Sequence, residues 1–157
     1  MNSDKIDIVV PFITPVRMPN GLQWDQDELF VMDQLTDDVF VLDDAGAVLR
    51  VITTETENGS GITVGGGFIW TASNGSASAR PFRESDDHRS KILKIDPTSG
   101  RTVEYFLTPD GGGVHGLAWE DDKIWITSFN PRAIHLIECE SYKIVKSFYC
   151  ELDVLHG

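Results

Sequence analysis

The sequence predicts an all-β fold, a β-propeller fragment of three four-stranded blades plus an extra N-terminal outer strand, and three observations carry that prediction. Gly21–Asp33 (GLQWDQDELFVMD), Gly61–Ser73 (GITVGGGFIWTAS) and Gly116–Ser128 (GLAWEDDKIWITS) align without a gap. Each is a strand, a polar or glycine turn and a second strand, with the alternating aliphatic and aromatic positions of a sheet. After each comes another strand, turn and strand, over 38–52, 90–107 and 133–148. Four-stranded units recurring about every 40 residues are propeller blades, whose innermost strands line a central channel. No window sustains the 3.6-residue apolar period of a helix, which excludes helix bundles and βαβ folds.

The elements follow in order. Residues 7–14 (DIVVPFIT) align with 47–54, the outermost strand of the first blade, so an outer strand precedes the first inner one. Blade one spans 19–54, blade two 60–108 and blade three 115–150, and 154–157 (VLHG) repeat the opening of blade three. The first and third repeats have periods of 40 and 41 residues, from Gly21 to Gly61 and from Gly116 to Gly157. The middle one takes 55, and its surplus is a long loop over 74–91 of small, charged and proline residues. Gly46 and Gly100 sit where a turn needs a positive φ, whereas Ser141 and Tyr142 fill the third turn without glycine, which predicts a different turn type. Propellers close with roughly four to eight blades. Three blades and a spare outer strand therefore predict the first half of a six-bladed ring, either truncated or completed by a homodimer or a second half-propeller chain.

At 157 residues and 41% hydrophobic, the chain has the material for a sizeable core. Its 25 acidic residues against 13 basic ones give a formal charge of -12. That charge repels phosphate backbones and anionic lipid, so neither nucleic acid nor membrane is an expected partner. The N-terminal apolar run is broken by Asp7 and Pro11, and nothing approaches the ~18 apolar residues of a membrane span. A cytoplasmic protein is expected. Cys139 and Cys150 flank the fourth strand of blade three, whose roughly seven residues at ~3.3 Å each hold them beyond disulfide reach. Two free thiols follow.

The residue before each repeated glycine can bring its side chain to the channel axis, which nominates Asn20, Ser60, His115 and His156. The stretch ETENGSG (55–61) adds Glu57 and Asn58 at the same mouth. Carboxamides, carboxylates and imidazoles converging from different blades can hold a divalent cation. Oxygen ligands suit Mg²⁺ or Ca²⁺, and a mixed set with His suits Mn²⁺ or Zn²⁺. Structural roles compete with these. His115 either serves chemistry or caps the loop PDGGGVHG, whose glycines expose N–H groups to an anion or merely allow a tight passage. Trp24, Trp70, Trp119 and Trp125 are expected to pack one blade on the next. His135 is a packing or surface residue, and His88 with Arg80, Arg83, Asp86, Asp87 and Arg89 forms a salt-bridged solvent face.

Asn20-Gly21-Leu22-Gln23-Trp24, with Asp33 closing the next strand, resembles the N-G-L-x-W segment of the gluconolactonase and regucalcin group of six-bladed propellers. That resemblance implies a channel metal with Asn20 as a ligand. The group's E-G-P ligand motif is missing, and Pro109-Asp110-Gly111 falls five residues upstream of the repeated glycine, which leaves Asp110 as a channel-lining residue. His115-Gly116-Leu117, Ile124-Trp125-Ile126-Thr127 and the Ile92–Gly100 segment ILKIDPTSG resemble the H-G-[IL], I-W-F-T and I-x-x-I-D-P-x-T-G motifs of virginiamycin B lyase relatives. This second resemblance implies that His115 and His156 lie on the reactive face of a lactone-opening channel. The predicted function is a metal-assisted hydrolase or lyase acting on a lactone or ester-like small molecule. Asn20, Glu57 and His156 would hold the metal and His115 would act as general base. The alternative is a non-catalytic propeller that binds or assembles.

Overall fold

A computed structural model of the chain describes residues 10, 12–76, 79–109, 111–152 and 155. Alternating apolar residues draw it into β1 (Pro19–Asp25), β2 (Glu28–Asp33), β3 (Asp38–Leu42), β4 (Val48–Thr53), β5 (Gly59–Gly65), β6 (Phe68–Asn74), β7 (Ser90–Ile95), β8 (Thr102–Leu107), β9 (Val114–Glu120), β10 (Lys123–Phe129), β11 (Arg132–Glu138) and β12 (Ile144–Tyr149). They form three antiparallel sheets of four consecutive strands, β1 to β4, β5 to β8 and β9 to β12. These are the three blades. Register is equivalent in each: Phe30 faces Val41, Trp70 faces Lys94 and Trp125 faces Leu136 across the middle pair of strands.

Blades stack face to face. Phe30, Met32, Val39, Val41 and Ile52 of blade one pack on Ile62, Ile69, Leu93 and Ile95 of blade two. Trp70, Ala72, Ile92 and Phe106 of blade two likewise pack on Val114, Ile124, Ile126 and Ile137 of blade three. Each fully buried aliphatic side chain contributes about 1.5–3 kcal/mol, so these seams hold the stack together. A third cluster joins Val16 to Leu29, Val31 and Leu42 on the far face of blade one, with Phe12 and Phe40 beside it. Asp33, wholly buried, fixes that entry segment by accepting the N–H groups of Arg17, Met18 and Leu35 at 3.0–3.1 Å.

The repeated glycines mark where inner strands approach at the axis. A Cβ on Gly21 would collide with the carbonyl of Ser60, and one on Gly61 would come 2.5 Å from the carbonyl of His115. Only glycine allows that approach. The turn between the third and fourth strands places a left-handed residue in every blade, but the bond that closes it spans one residue fewer in blade one than in blades two and three. Gly46, Gly100 and Tyr142 have φ of 81°, 72° and 55°. Each donates its N–H to the residue closing the third strand, Asp43, Asp96 or Glu138. The turn at Tyr142 thus differs from that of blade one but matches that of blade two without its glycine, because stacking on Phe106 at 4.9 Å and a 2.8 Å bond from its hydroxyl to Glu104 hold a non-glycine residue in the left-handed region.

Two further expectations are corrected. Of the four tryptophans, Trp70 is buried and stacks on Trp119 across the blade two to blade three seam, but Trp24 is 48% exposed. Its repeat equivalents Val64 and Trp119 cover the preceding blade, and the described residues place no sheet before blade one. Trp125 stacks within its own blade, on Phe148. The long loop is salt-bridged, yet it is not simply a solvated face, because the Arg80 side chain is 2% exposed and bonded to buried Asp37 and Asp86. Of the outer strand expected over 7–14, residues 10 and 12–14 are described, in irregular backbone, and the rest lie outside the described residues. Within 154–157 only Leu155 is described, and it is buried. Among the described residues no helix is long and apolar enough to cross a membrane.

Candidate functional site at the inner-strand mouth

The three inner strands converge because β5 packs between β1 and β9. Their openings leave a hollow of about 440 Å³ lined by Asn20, Leu22, Ile62, His115 and Leu117 together with the glycines Gly21, Gly61 and Gly116. Its walls are aliphatic and backbone, with one carboxamide and one imidazole. Asn20 is held in place as Nδ2 donates to Gln34 Oε1 at 2.8 Å, and Gln34 Nε2 in turn donates to the carbonyl of Asn58 at 3.4 Å. The His115 ring lies against Phe129, with centroids 4.5 Å apart. Asn20 and His115 are thus brought together as expected. Gln34, which orients Asn20, carried no sequence signal, since its place follows a strand end rather than a repeated glycine.

The remaining candidates point elsewhere. Ser60 is wholly buried, its Oγ donating to the Val114 carbonyl and accepting from Asn74 Nδ2 at 2.7 Å, so it joins blade two to blade three. Asn58, also buried and at φ 53°, accepts the N–H of Arg80 at 3.2 Å and anchors the long loop. Glu57 is 4% exposed. Its two oxygens accept the N–H groups of Asp87 and His88 at 3.0 Å each and pair with Lys91 Nζ at 3.1 Å. That carboxylate is saturated by the long loop and does not line the hollow. His156 and Asp110 lie outside the described residues. Among the described residues no three His, Cys, Asp or Glu side chains group as a metal would need. Of the predicted metal and catalytic residues, the described structure brings only Asn20 and His115 to the hollow.

The long loop makes a second polar assembly. Arg80 donates to both oxygens of Asp86 at 2.8 and 3.0 Å and through Nε to Asp37, which also accepts the Gly59 N–H at 2.9 Å. The Arg80 bonds hold the Asp86 carboxyl down at about 2, and the same partners raise the Arg80 guanidinium further above its usual range. Burial raises the Asp37 carboxyl, opposed by the bonds from Gly59 and Arg80. His135, buried in β11, bonds Ser147 Oγ at 2.7 Å through Nδ1 and is a packing residue.

With this geometry in hand, no family model matches the chain, and no curated protein matches it. Solved structures do. The hydrazine synthase of Kuenenia stuttgartiensis is 14% identical with a TM-score of 0.61, over 96% of this chain and 39% of that one. U3-55K is 14% identical with a TM-score of 0.59, over 85% of this chain and 39% of that one. The Neurospora crassa Pan2 WD40 domain is 15% identical with a TM-score of 0.55, over 83% and 36%. The fold is that of a β-propeller. The chain spans less than two fifths of these neighbours' length, and at such identities the likeness carries the architecture alone. The resemblances to the gluconolactonase and regucalcin group and to virginiamycin B lyase relatives rest on their short motifs.

Proposed function

We propose that the chain is an assembly scaffold, a three-blade propeller segment that self-associates into a ring and offers its channel mouth for binding. One observation carries this reading. In β2 and β6 nearly every residue is buried, whereas β10 and β11 bury only alternate residues, leaving Trp125, Thr127, Ile134 and Leu136 part-exposed. Those positions correspond to Phe30, Met32, Val39 and Val41, which blade two covers. The face is built as a seam, and none of the described residues forms its other half. A hydrazine synthase and a WD40 domain share this architecture, so likeness does not favour catalysis over scaffolding. Sedimentation velocity from 1 to 200 μM, ranges chosen as on the order of common association constants, is expected to show a reversible dimer. A monodisperse monomer throughout would sink the proposal.

A second reading, the metal-assisted hydrolase or lyase, has one observation in its favour: Asn20 and His115 share the hollow. With Glu57 engaged by the loop, no step through a metal is derived. Calorimetric titration with Ca²⁺, Mg²⁺, Mn²⁺ and Zn²⁺, repeated on Asn20→Ala and His115→Ala, tests it. Binding lost in both variants would support this reading, and absence of binding to the assembled protein would end it.

A further inference from the structure

Resting on the assembly reading above, we propose that the partner is a second copy and that Phe12 is an internal placeholder, occupying the seat that the second copy's outer strand takes. Inside the chain two contacts recur at each seam. The first sets an outer-strand residue over the turn of the next blade. A Cβ on Gly100 would meet Ile52, and Tyr142 stacks on Phe106. Ile52, Phe106 and Phe148 are register equivalents, opposite Val39, Ile92 and Ile134. Phe148 is 44% exposed, and among the described residues no following turn lies beneath it. The turn without a preceding blade is Gly46, and there Phe12 lies across it: a Cβ on Gly46 would strike the Phe12 ring. Phe12 therefore stands where the outer strand of a preceding blade would put its aromatic residue.

The second recurring contact lays a first-strand residue against the face before it, Val64 on the blade one to blade two cluster and Trp119 on Trp70 at 6.0 Å. The repeat equivalents left open are Trp24 at one end of the stack and Trp125 at the other. Both halves of both contacts are thus present on one molecule at opposite ends, which is the condition for head-to-tail pairing of identical chains. Continuity with the two internal seams sets the register: Trp24 of one copy on Trp125 of the next, and Phe148 over Gly46. Phe12 and an incoming Phe148 cannot both lie over Gly46. Docking requires the segment to lift away, so the apparent affinity is the intrinsic one multiplied by the fraction of time the segment is lifted.

Full-length wild type, Phe12→Ser, Trp125→Ala and the double variant are compared by sedimentation equilibrium, with near-ultraviolet dichroism to confirm the fold. The expected result is a dimer dissociation constant lowered about tenfold or more by Phe12→Ser and raised about tenfold or more by Trp125→Ala. Hydrogen exchange supplies an independent readout on wild type: the amides of Phe12, Ile13, Thr14 and Val16 are expected to exchange faster as concentration drives dimerisation. A dimer that Phe12→Ser leaves unchanged or weakens, or one in which those amides gain protection, overturns the placeholder while leaving the assembly reading standing. If no variant associates at any concentration, the assembly reading falls and takes the placeholder with it.

Discussion

Trp119 of blade three stacks on Trp70 of blade two, their ring centroids 6.0 Å apart and their planes inclined by 29°. The same indole covers Gly65 so closely that a Cβ there would collide with it. The seam is therefore filled by one large residue against the absence of another. Trp70→Ala removes a fully buried indole and is expected to cost about 3–5 kcal/mol. Gly65→Ala is expected to cost about 1–3 kcal/mol by overpacking. Urea unfolding followed by fluorescence measures both, and a Gly65→Ala change of less than about 0.5 kcal/mol would show that the seam can yield.

The axis glycines permit a sharper comparison. At Gly21 a Cβ would meet backbone atoms of Ser60 and Ile62, which cannot rotate away, whereas at Gly67, φ 80°, nothing lies within 4 Å. Gly67→Ala should cost only the left-handed strain of about 1–2 kcal/mol. Gly21→Ala should exceed it and also widen the hollow beside Asn20. Equal midpoints for the two variants in thermal unfolding would contradict this account of the repeat.

Much of this architecture was legible in residues 21–33, 61–73 and 116–128, because a repeated glycine, a two-residue period and a recurring aromatic each report a local constraint. The meeting of Asn20 with His115 was legible for the same reason, as both precede that glycine. What escaped was set by contacts between distant segments. Glu57 reads as a free carboxylate until the long loop brings the amides of Asp87 and His88 onto it. Trp24 reads as core because its equivalents are, and its exposure follows from which blade lies beside it. Repeats report what a position is built for, while neighbours decide what it does.

The loop latch makes a prediction with a pH sign. Asp86 has its carboxyl lowered to about 2 by the Arg80 bonds, below the ordinary 3.9 or so of a free Asp. A depressed carboxyl contributes stability that is complete above its unfolded value and lost as pH falls through the folded one. The loop over 74–91 should therefore loosen between about pH 4 and pH 2. Arg80→Met, which leaves buried Asp37 with only the half-exposed Arg83 guanidinium at 3.5 Å for a counter-charge, is expected to cost about 3–5 kcal/mol at neutral pH. Proteolysis of the loop with pepsin across that window should rise toward pH 2, and a rate independent of pH after correction for pepsin's own profile would refute the latch.

Cys139 is half-buried beside the blade two to blade three seam, and burial pushes its thiol up to about 11. The thiolate is the reactive form, so attack on a disulfide reagent at pH 8 should be slow and should climb about tenfold per pH step until the thiol is titrated. Mapping the labelled peptide distinguishes it from Cys150. Rapid labelling of Cys139 at pH 8 in the folded protein would mean that the seam opens.

Tyr142 sets two effects against each other. Replacing it by glycine relieves a left-handed residue at φ 55°, a gain of about 1–2 kcal/mol. The same change removes the stacking on Phe106, worth about 0.5–1.5 kcal/mol beyond the area buried. It also removes the hydroxyl bond to the Glu104 carboxylate, about 1.5–3 kcal/mol for a charged acceptor and toward the low end at this exposed site. Adding the lost ring burial, the losses exceed the gain, so Tyr142→Gly is expected to destabilise by about 1–2 kcal/mol although glycine is the residue that its repeat equivalents Gly46 and Gly100 use. Tyr142→Phe isolates the hydroxyl. If Tyr142→Gly proved stabilising, the turn and not the seam would govern this position.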